Sequence, residues 1–496
     1  MFRRRSILIA ITLIFPLCLF SQAPSVRILK LNDVIQLAHE NSLEALLAKH
    51  RFRQNYWEYR AYKANYLPSL SLNADLVDLT RAITKDAVYE NGQWIEKYAE
   101  TKRLNSSLSF SINQNVPFTG GRIFVNSELG RLDLLTGDPA SLMSTPISIG
   151  FSQPLFSYNE FKWEKKIEPL KYEEAKKNYI EAMENVNLRA VQYFYDLLAA
   201  QMEVTKQEYN LANNDTLYKI AQGRYELGMI DKGELLQMEI NQLTSADALT
   251  KSRLNLEVKK SNIRTFLGFN DKIDLELSAT MDIPNLEIDV DQAMQHAREN
   301  NPQMLSMERQ ILQAEQSIAR ARANARFNAD LFAAYGLTQR GKDLREAYLN
   351  PQQSQRLTIG VKVPILDWGR RKGMLRMAES SRDVVELSVE QQKIDFDQNI
   401  YLQVMQFNMQ DDQLILAEKR KSLSQIRYDI TKQKFMIGSL DVLKLNDALQ
   451  SKDETINSYV LAMRTYWNYY YNIRKTTLWD FEKDQPLEED FNTLLD

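Results

Sequence analysis

Three histidines, His39, His50 and His296, and a single cysteine, Cys18, are all the imidazole and thiol groups that the chain of 496 residues offers toward metal ligation or nucleophilic catalysis. Cys18 lies in an apolar leader, and removal of that leader leaves no thiol for a disulfide, a Cys–zinc site or a nucleophile. The Asp and Glu residues number 65, but they fall at solvating spacings on helical faces and no histidine or cysteine converges with them. No acid–base pair, triad or metal shell assembles, so neither a cofactor nor a metal is implied. Trp467, Tyr469, Tyr470 and Tyr471 form an aromatic cluster that suits a ligand cage or, given the area aromatic rings bury, helix packing. The formal charge is −3, and about −6 without Arg3, Arg4 and Arg5, so no basic excess directs the chain to nucleic acid.

Those three arginines open a leader. Ile7 to Phe20 is an apolar run of about fourteen residues, followed by the small residues Ser21 and Ala23, the pattern of a secretory signal peptide over 1–23. A retained anchor is the alternative. Phe15, Pro16 and Leu17 lack the small residue that lipidation at Cys18 needs. Beyond the leader no run of about eighteen apolar residues follows, which excludes a transmembrane helix; an exported chain that still enters a membrane must then do so as a β-barrel.

Glycine and proline map the elements that must position any site. Glycine is absent between Phe151 and Gln222 and between Met374 and Ile437, and proline between Leu170 and Ile283 and between Ile365 and Gln485. Each would cost a helix interior about 1 or 3 kcal/mol, so these stretches predict long helices. Leu387, Ile394 and Tyr401, then Val404, Phe407 and Leu414, recur at helical spacing. The glycine-bearing parts alternate instead: Leu70, Leu72, Ala74 and Leu76; Ile147, Ile149 and Phe151; Leu331, Ala333, Tyr335 and Leu337; Leu357, Ile359, Val361 and Val363. Such period-two strands suit a barrel wall between lipid and water, and a soluble sandwich equally.

The chain also repeats itself. Leu31–Asn41 aligns with Val290–Asn300, Gln36, Ala38, Glu40 and Asn41 recurring as Gln295, Ala297, Glu299 and Asn300. The predicted long helices, 160–226 and 370–436, each span about 67 residues, or about 100 Å. Shorter segments of about 34 to 36 residues (31–64 and 233–267, then 289–324 and 441–475) stack in pairs to match one long helix at 1.5 Å per residue. The organisation expected is a first repeat over 24–283, a second over 284–476 and an acidic, solvated tail over 477–496.

Several segments now resemble the TolC family of outer-membrane factors. Val363-Pro-Ile-Leu-Asp-Trp-Gly-Arg-Arg371 is similar to its strand-to-helix junction, with Pro364, Asp367, Trp368 and Gly369 at the matching positions. Gln153-Pro-Leu-Phe156, with Gln153 and Pro154, resembles the first-repeat copy, and Gln114-Asn-Val-Pro-Phe-Thr-Gly-Gly-Arg122 echoes it. Tyr225-Glu-Leu-Gly-Met-Ile230 with Glu234-Leu-Leu236, and Phe435-Met-Ile-Gly-Ser-Leu-Asp-Val-Leu443, look like the two inter-helix tips. The resemblance covers essentially the whole chain after the leader. It implies an α+β membrane protein: a homotrimer sharing one transmembrane β-barrel, about four strands per chain, above a long periplasmic α-helical barrel. It implies partners too: outer-membrane lipid, a periplasmic adaptor (membrane fusion) protein and an inner-membrane transporter.

Two departures stand out. Leu108, Phe110 and Ile112, then Ile123, Val125 and Leu129, add two alternating runs within Leu104–Leu129 that either extend the barrel or form a hairpin above it; an extracellular hairpin above a twelve-stranded barrel is expected. The second tip also looks about three residues shorter, measuring Gly438 to Asp441 against Gly228 to Glu234. Some relatives carry two acids three apart in the second tip; here Asp441 is followed by Lys444. Asp441 either rings the pore, partly cancelled by Lys444, or caps the helix after Gly438. Gly228, Asp231, Glu234, Gly438, Asp441 and Lys444 are therefore the expected gate and adaptor contact, with Arg224, Glu226, Asp231, Lys434 and Asp441 tying neighbouring tips through exposed ion pairs of about 0–1 kcal/mol. The leading function is a passive duct of a tripartite efflux pump or type I secretion system. A periplasmic coiled-coil adaptor or scaffold is the alternative, needing the helices but not the strands, and an enzyme comes last.

Overall fold

The computed structural model describes residues 27–90, 92–135, 140–269, 275–278 and 286–495, so the expected leader 1–23 lies outside the described residues. In chain order the elements are β1 (Arg27–Leu29), α1 (Leu31–Asn41), α2 (Leu43–Ala64), β2 (Ser69–Glu90), β3 (Gln93–Val116), β4 (Gly121–Leu134), β5 (Ser141–Leu155), α3 (Glu160–Glu226) and α4 (Lys232–Phe266). There follow β6 (Leu275–Leu277), α5 (Val290–Asn300), α6 (Pro302–Ala325), β7 (Asn328–Gly341), α7 (Leu344–Tyr348), β8 (Gln352–Lys362), α8 (Arg370–Met436), α9 (Val442–Thr477), β9 (Trp479–Asp480) and β10 (Gln485–Pro486). No described helix is long and apolar enough to cross a membrane.

The chain divides into two units. One gathers the chain up to Leu46, Asn185–Asn285 and Met409–Asn468. Among its described residues the elements are helices and the strand pair β1–β6, which runs parallel. Its core includes Phe194, Leu197, Ile263 and Leu267. Asp196 ties three helices, accepting from Lys259 of α4 at 3.0 Å and Arg464 of α9 at 2.8 Å.

The other unit holds Leu47–Glu184, Leu286–Asn408 and Tyr469–Asp496, and with them the short β9–β10 pair and a six-stranded sheet in the order β2-β3-β4-β5-β7-β8. Here the expectation of four strands is corrected: six strands join one antiparallel sheet. The expected extracellular hairpin is corrected with it. Val116 pairs with Gly121 and Arg122 with Ser152, so the β3–β4 turn lies beside the residues that lead into α3. Asn159, just before that helix, donates to the carbonyls of Pro117 and Phe118 at 3.0 and 3.3 Å. A hairpin with full-length ladders on both flanks leaves fewer unpaired backbone groups than one projecting above the sheet.

The register sorts side chains onto two faces. Leu70, Ile112, Val125, Ile149 and Tyr335 lie in one cross-strand row, and Ile123, Phe151, Ala333 and Leu357 in another. On the opposite face Ser71, Ser111, Asn126, Ser148, Gly336 and Ser354 form a row of small polar residues. Leu72, Leu357 and Ile359 are left 66%, 71% and 64% exposed on the apolar face.

The two 67-residue helices, α3 and α8, match the glycine map, α3 running through Pro169 with the loss of one backbone rung. The segments expected as single helices at 31–64 and 289–324 are each broken once, at Ser42 and Asn301. Asn301 accepts from the Gln303 amide at 2.8 Å ahead of Pro302, whose ring disfavours helix at the residue before it. On α8 the stripe expected to pack is partly displaced: Leu387, Ile394 and Tyr401 are exposed, whereas Val389, Phe396 and Ile400 are buried together with the expected Val404, Phe407 and Leu414.

The last residues correct another expectation. Glu482, Asp484, Glu488, Glu489 and Asp490 of the tail are exposed, yet the segment is docked rather than free. Phe491 packs on Phe52 at 5.1 Å, Arg53 donates to the Leu494 carbonyl at 2.6 Å, and Trp479 stacks on His296 at 3.8 Å. Asp480 is buried and accepts from Tyr470 at 3.0 Å and Arg474 at 2.9 Å. Arg474 also reaches Glu184 at 3.0 Å. Burial pulls the Arg474 pKa down, but Glu184 and Asp480 more than restore it, so the guanidinium stays charged. The aromatic cluster is thus packing: Trp467, Tyr470 and Tyr471 are buried, Tyr469 is half-buried, and Tyr470 meets Phe407 at 6.1 Å.

Candidate functional site

The two tips are built alike. At the end of α3 the amide of Gly228 bonds to the Tyr225 carbonyl at 3.0 Å and that of Met229 to Arg224 at 2.9 Å. At the end of α8 Gly438 bonds to Phe435 and Ser439 to Lys434, both at 2.9 Å. Each glycine has a positive φ, 68° and 79°, the left-handed residue that closes a helix with paired 6→1 and 5→2 bonds. Three residues later an aspartate opens the next helix. Asp231 accepts from the Glu234 amide and Asp441 from the Lys444 amide, each at 2.9 Å.

The expectation of a shorter second tip is therefore corrected. Glu234 is the counterpart of Lys444, not of Asp441; Asp231 is the counterpart of Asp441, and both tips run from glycine to aspartate in three steps. Asp441 acts as a helix cap, its carboxylate holding an amide that would otherwise lack a partner. No ion pair within the chain joins Asp231, Glu226, Lys434 and Asp441 among the described residues. The tips are joined by another device: half-buried Arg224 donates to the carbonyls of Phe435 and Met436 at 3.2 and 2.9 Å, its guanidinium 5.4 Å from the Phe435 ring. A cation on the last carbonyls of α8 also meets the negative end of the helix dipole.

Beneath the tips, Leu217, Ala221, Met238, Tyr428, Phe435, Leu445 and Ala448 form a buried cluster. Above it a cavity of about 400 Å³ is lined by Arg224, Met229, Glu234, Gly438, Asp441 and Lys444, among others. Glu234, Gly438, Asp441 and Lys444 are thus brought together, while Gly228 and Asp231 serve the turn. The resulting chemistry is a small mixed-charge recess with an apolar floor. Among the described residues no group of three or more His, Cys, Asp or Glu could hold a metal.

The strand-to-helix junctions are hydrogen-bonded turns. Gln153 is buried and donates to the Thr119 and Pro154 carbonyls at 2.8 and 2.7 Å. Gln114, within the segment Gln114–Arg122, does the same with Tyr66 and Asn115 at 2.9 and 2.8 Å. The shared glutamine ahead of a Val-Pro or Pro-Leu pair was the available signal, because Gln114 and Gln153 leave the same end of the sheet. Ahead of α8 Asp367 receives the amides of Gly369 and Arg371 at 3.1 and 3.2 Å. Trp368 and Gly369 adopt positive φ of 54° and 82° beyond Pro364. Trp368 is 90% exposed.

Comparison with known proteins places this geometry. The family model for outer membrane efflux proteins matches residues 34–269 and 293–475, well over half of the chain. The search of curated proteins returns no match. Among solved structures, the CmeC outer membrane channel of Campylobacter jejuni aligns with a TM-score of 0.65 at 15% identity, over 93% of this chain and 88% of that one. VceC of Vibrio cholerae aligns at 0.63 and 13% identity, over 92% and 97%. The open-state MtrE channel of Neisseria gonorrhoeae aligns at 0.63 and 13%, over 92% and 91%. At such identities the structures establish a shared fold, and the family match establishes membership: the chain belongs to the outer membrane efflux protein family.

Proposed function

We propose that this chain is the outer-membrane channel of a tripartite efflux pump or type I secretion system, a passive duct that docks a periplasmic adaptor and, through it, works with an inner-membrane transporter. The observation that carries the reading is the six-stranded sheet, apolar on one face, small and polar on the other, with β2 and β8 unpaired on their outer edges. In lipid each exposed edge group costs several kcal/mol, so the sheet needs closure. Three copies in cyclic symmetry supply it, with six strands from each of three chains making an eighteen-stranded barrel. Exposed Leu387 and Ile394 on α8, and Ile365 and Trp368 at the junction, suit burial against neighbouring copies.

The helices then extend into the periplasm, a helix of 67 residues reaching about 100 Å. The internal repeat has support in paired lengths: 11 and 11 residues for α1 and α5, 67 and 67 for α3 and α8, 35 and 36 for α4 and α9. The tips around Gly228 and Gly438 serve as gate and adaptor contact, Arg224 latching one tip to the other. The test is fractionation followed by mass measurement in mild detergent. A heat-modifiable trimer in the outer membrane is expected; a soluble periplasmic species, or a monomer with channel activity, overturns the reading.

A further inference from the structure

The polar face of the sheet is not uniformly bland. Most of it is Ser, Asn and Gly, but near the helix-proximal end two aromatic rings lie on it. Phe124 of β4 is 7% exposed, folded flat across the neighbouring strand at Gly150, where any Cβ would overlap its ring. Phe332 of β7 stacks beside it at 5.6 Å with 24° between the planes. The Arg356 guanidinium of β8 sits 5.6 Å from the Phe332 centroid. Arg122, two residues before Phe124, shares the face by strand alternation and is paired across β5 with the level of Phe332. The two arginines thus flank the rings, separated by three strand spacings or about 14 Å.

Neither arginine has a carboxylate partner among the described residues. On this face and at these levels the acid is Asp330, which lies diagonal to Lys362 across the β7–β8 pair and forms no ion pair with either arginine among the described residues. The next acids on the face, Glu128 and Asp75, lie further along the strands, beyond the row that contains Ser111 and Ser148. Covering Gly150 explains one ring. It does not explain two unpaired guanidinium groups on either side of a stacked pair.

We propose that Arg122, Phe124, Phe332 and Arg356 form a permeant-binding collar in the channel wall, selective for anions that carry a flat aromatic body. This rests on the channel reading above and deepens it by assigning a cargo class and a place where it is sorted. The guanidinium groups take the acidic group through charge-assisted hydrogen bonds, and the half-buried Phe332 ring, held against the buried Phe124, accepts the body by stacking. Repetition by symmetry places the collar around the lumen.

The experiment uses purified full-length protein in planar bilayers. Two quantities are read: the reversal potential in a KCl gradient, and block of the current by naphthalene-1-sulfonate compared with a naphthyl trimethylammonium of similar size. Wild type is expected to be blocked preferentially by the sulfonate. In R122Q/R356Q, the sulfonate should block about tenfold less well, the scale of a lost hydrogen bond to a charged group, and the reversal potential should move toward potassium. F332L, which keeps an apolar side chain beside Phe124, should weaken block by the sulfonate while leaving the reversal potential in place. Equal block by both probes, or block unchanged in R122Q/R356Q, overturns the collar while the channel reading stands. A wild-type protein that inserts as a trimer yet never conducts overturns both.

Discussion

Arg474 is the side chain on which the docking of the C-terminal segment turns. It is one cation facing two carboxylates, Glu184 and Asp480, at side-chain exposures of 14%, 6% and 6%. Replacing it with leucine leaves two buried acids without their counter-charge, a loss of about 3–5 kcal/mol in such settings. Arg474→Leu should therefore lower the thermal unfolding midpoint of the detergent-solubilised protein clearly, and Arg474→Lys should recover only part of it; an unchanged midpoint would show the pair to be dispensable. Asp441 tests a different point. Its carboxylate caps α9, and Asp441→Ala should cost about 1 kcal/mol, whereas Asp441→Asn keeps the cap. If Asp441 also contributes charge to a constriction, Asp441→Asn changes cation selectivity at unaltered stability. Unchanged selectivity leaves it a cap alone.

At the scale of elements, β3 and β4 are interior strands of the sheet. Each is hydrogen-bonded on both sides, to β2 and β4 and to β3 and β5. Removing Leu104–Leu129 should consequently abolish membrane insertion, because β2 and β5 would be left without a continuous ladder between them. Insertion of stable trimers by the deletion protein, measured by heat-modifiable gel migration, would restore the hairpin interpretation. The alternation at Leu108–Ile112 and Ile123–Leu129 was legible in the residues. Its place in the sheet was not, since period two reports which face a side chain occupies and says nothing about which strand lies alongside. The tips show the same limit. Gly228 and Gly438 were readable as helix ends, but the match between Asp231 and Asp441 depends on which residue caps, and that is decided by hydrogen bonds.

For the whole molecule the exposed stripe on α8 makes the sharpest demand. Leu387 and Ile394 are 66% and 55% exposed, an apolar surface that a helix of a closed assembly would hide. Leu387→Arg with Ile394→Arg should dissociate the trimer in mild detergent while leaving the far-ultraviolet circular dichroism of the chain intact. A trimer that survives both charges would place the stripe outside the interface.

The amino-acid order by itself determined the element types, the long-helix boundaries and the family. Gaps in glycine and proline and the change from period two to helical spacing are local properties of the backbone, and they suffice for that. Only the tertiary structure decided that six strands share one sheet, that the acidic tail docks through Trp479, Phe491 and Arg474, that Arg224 joins the two tips, and that Phe124, Phe332 and Arg356 meet on one face. These depend on pairing between residues far apart in the chain. Register, ring stacking and a guanidinium's choice of carbonyl are set by three-dimensional neighbours, and no local pattern encodes them.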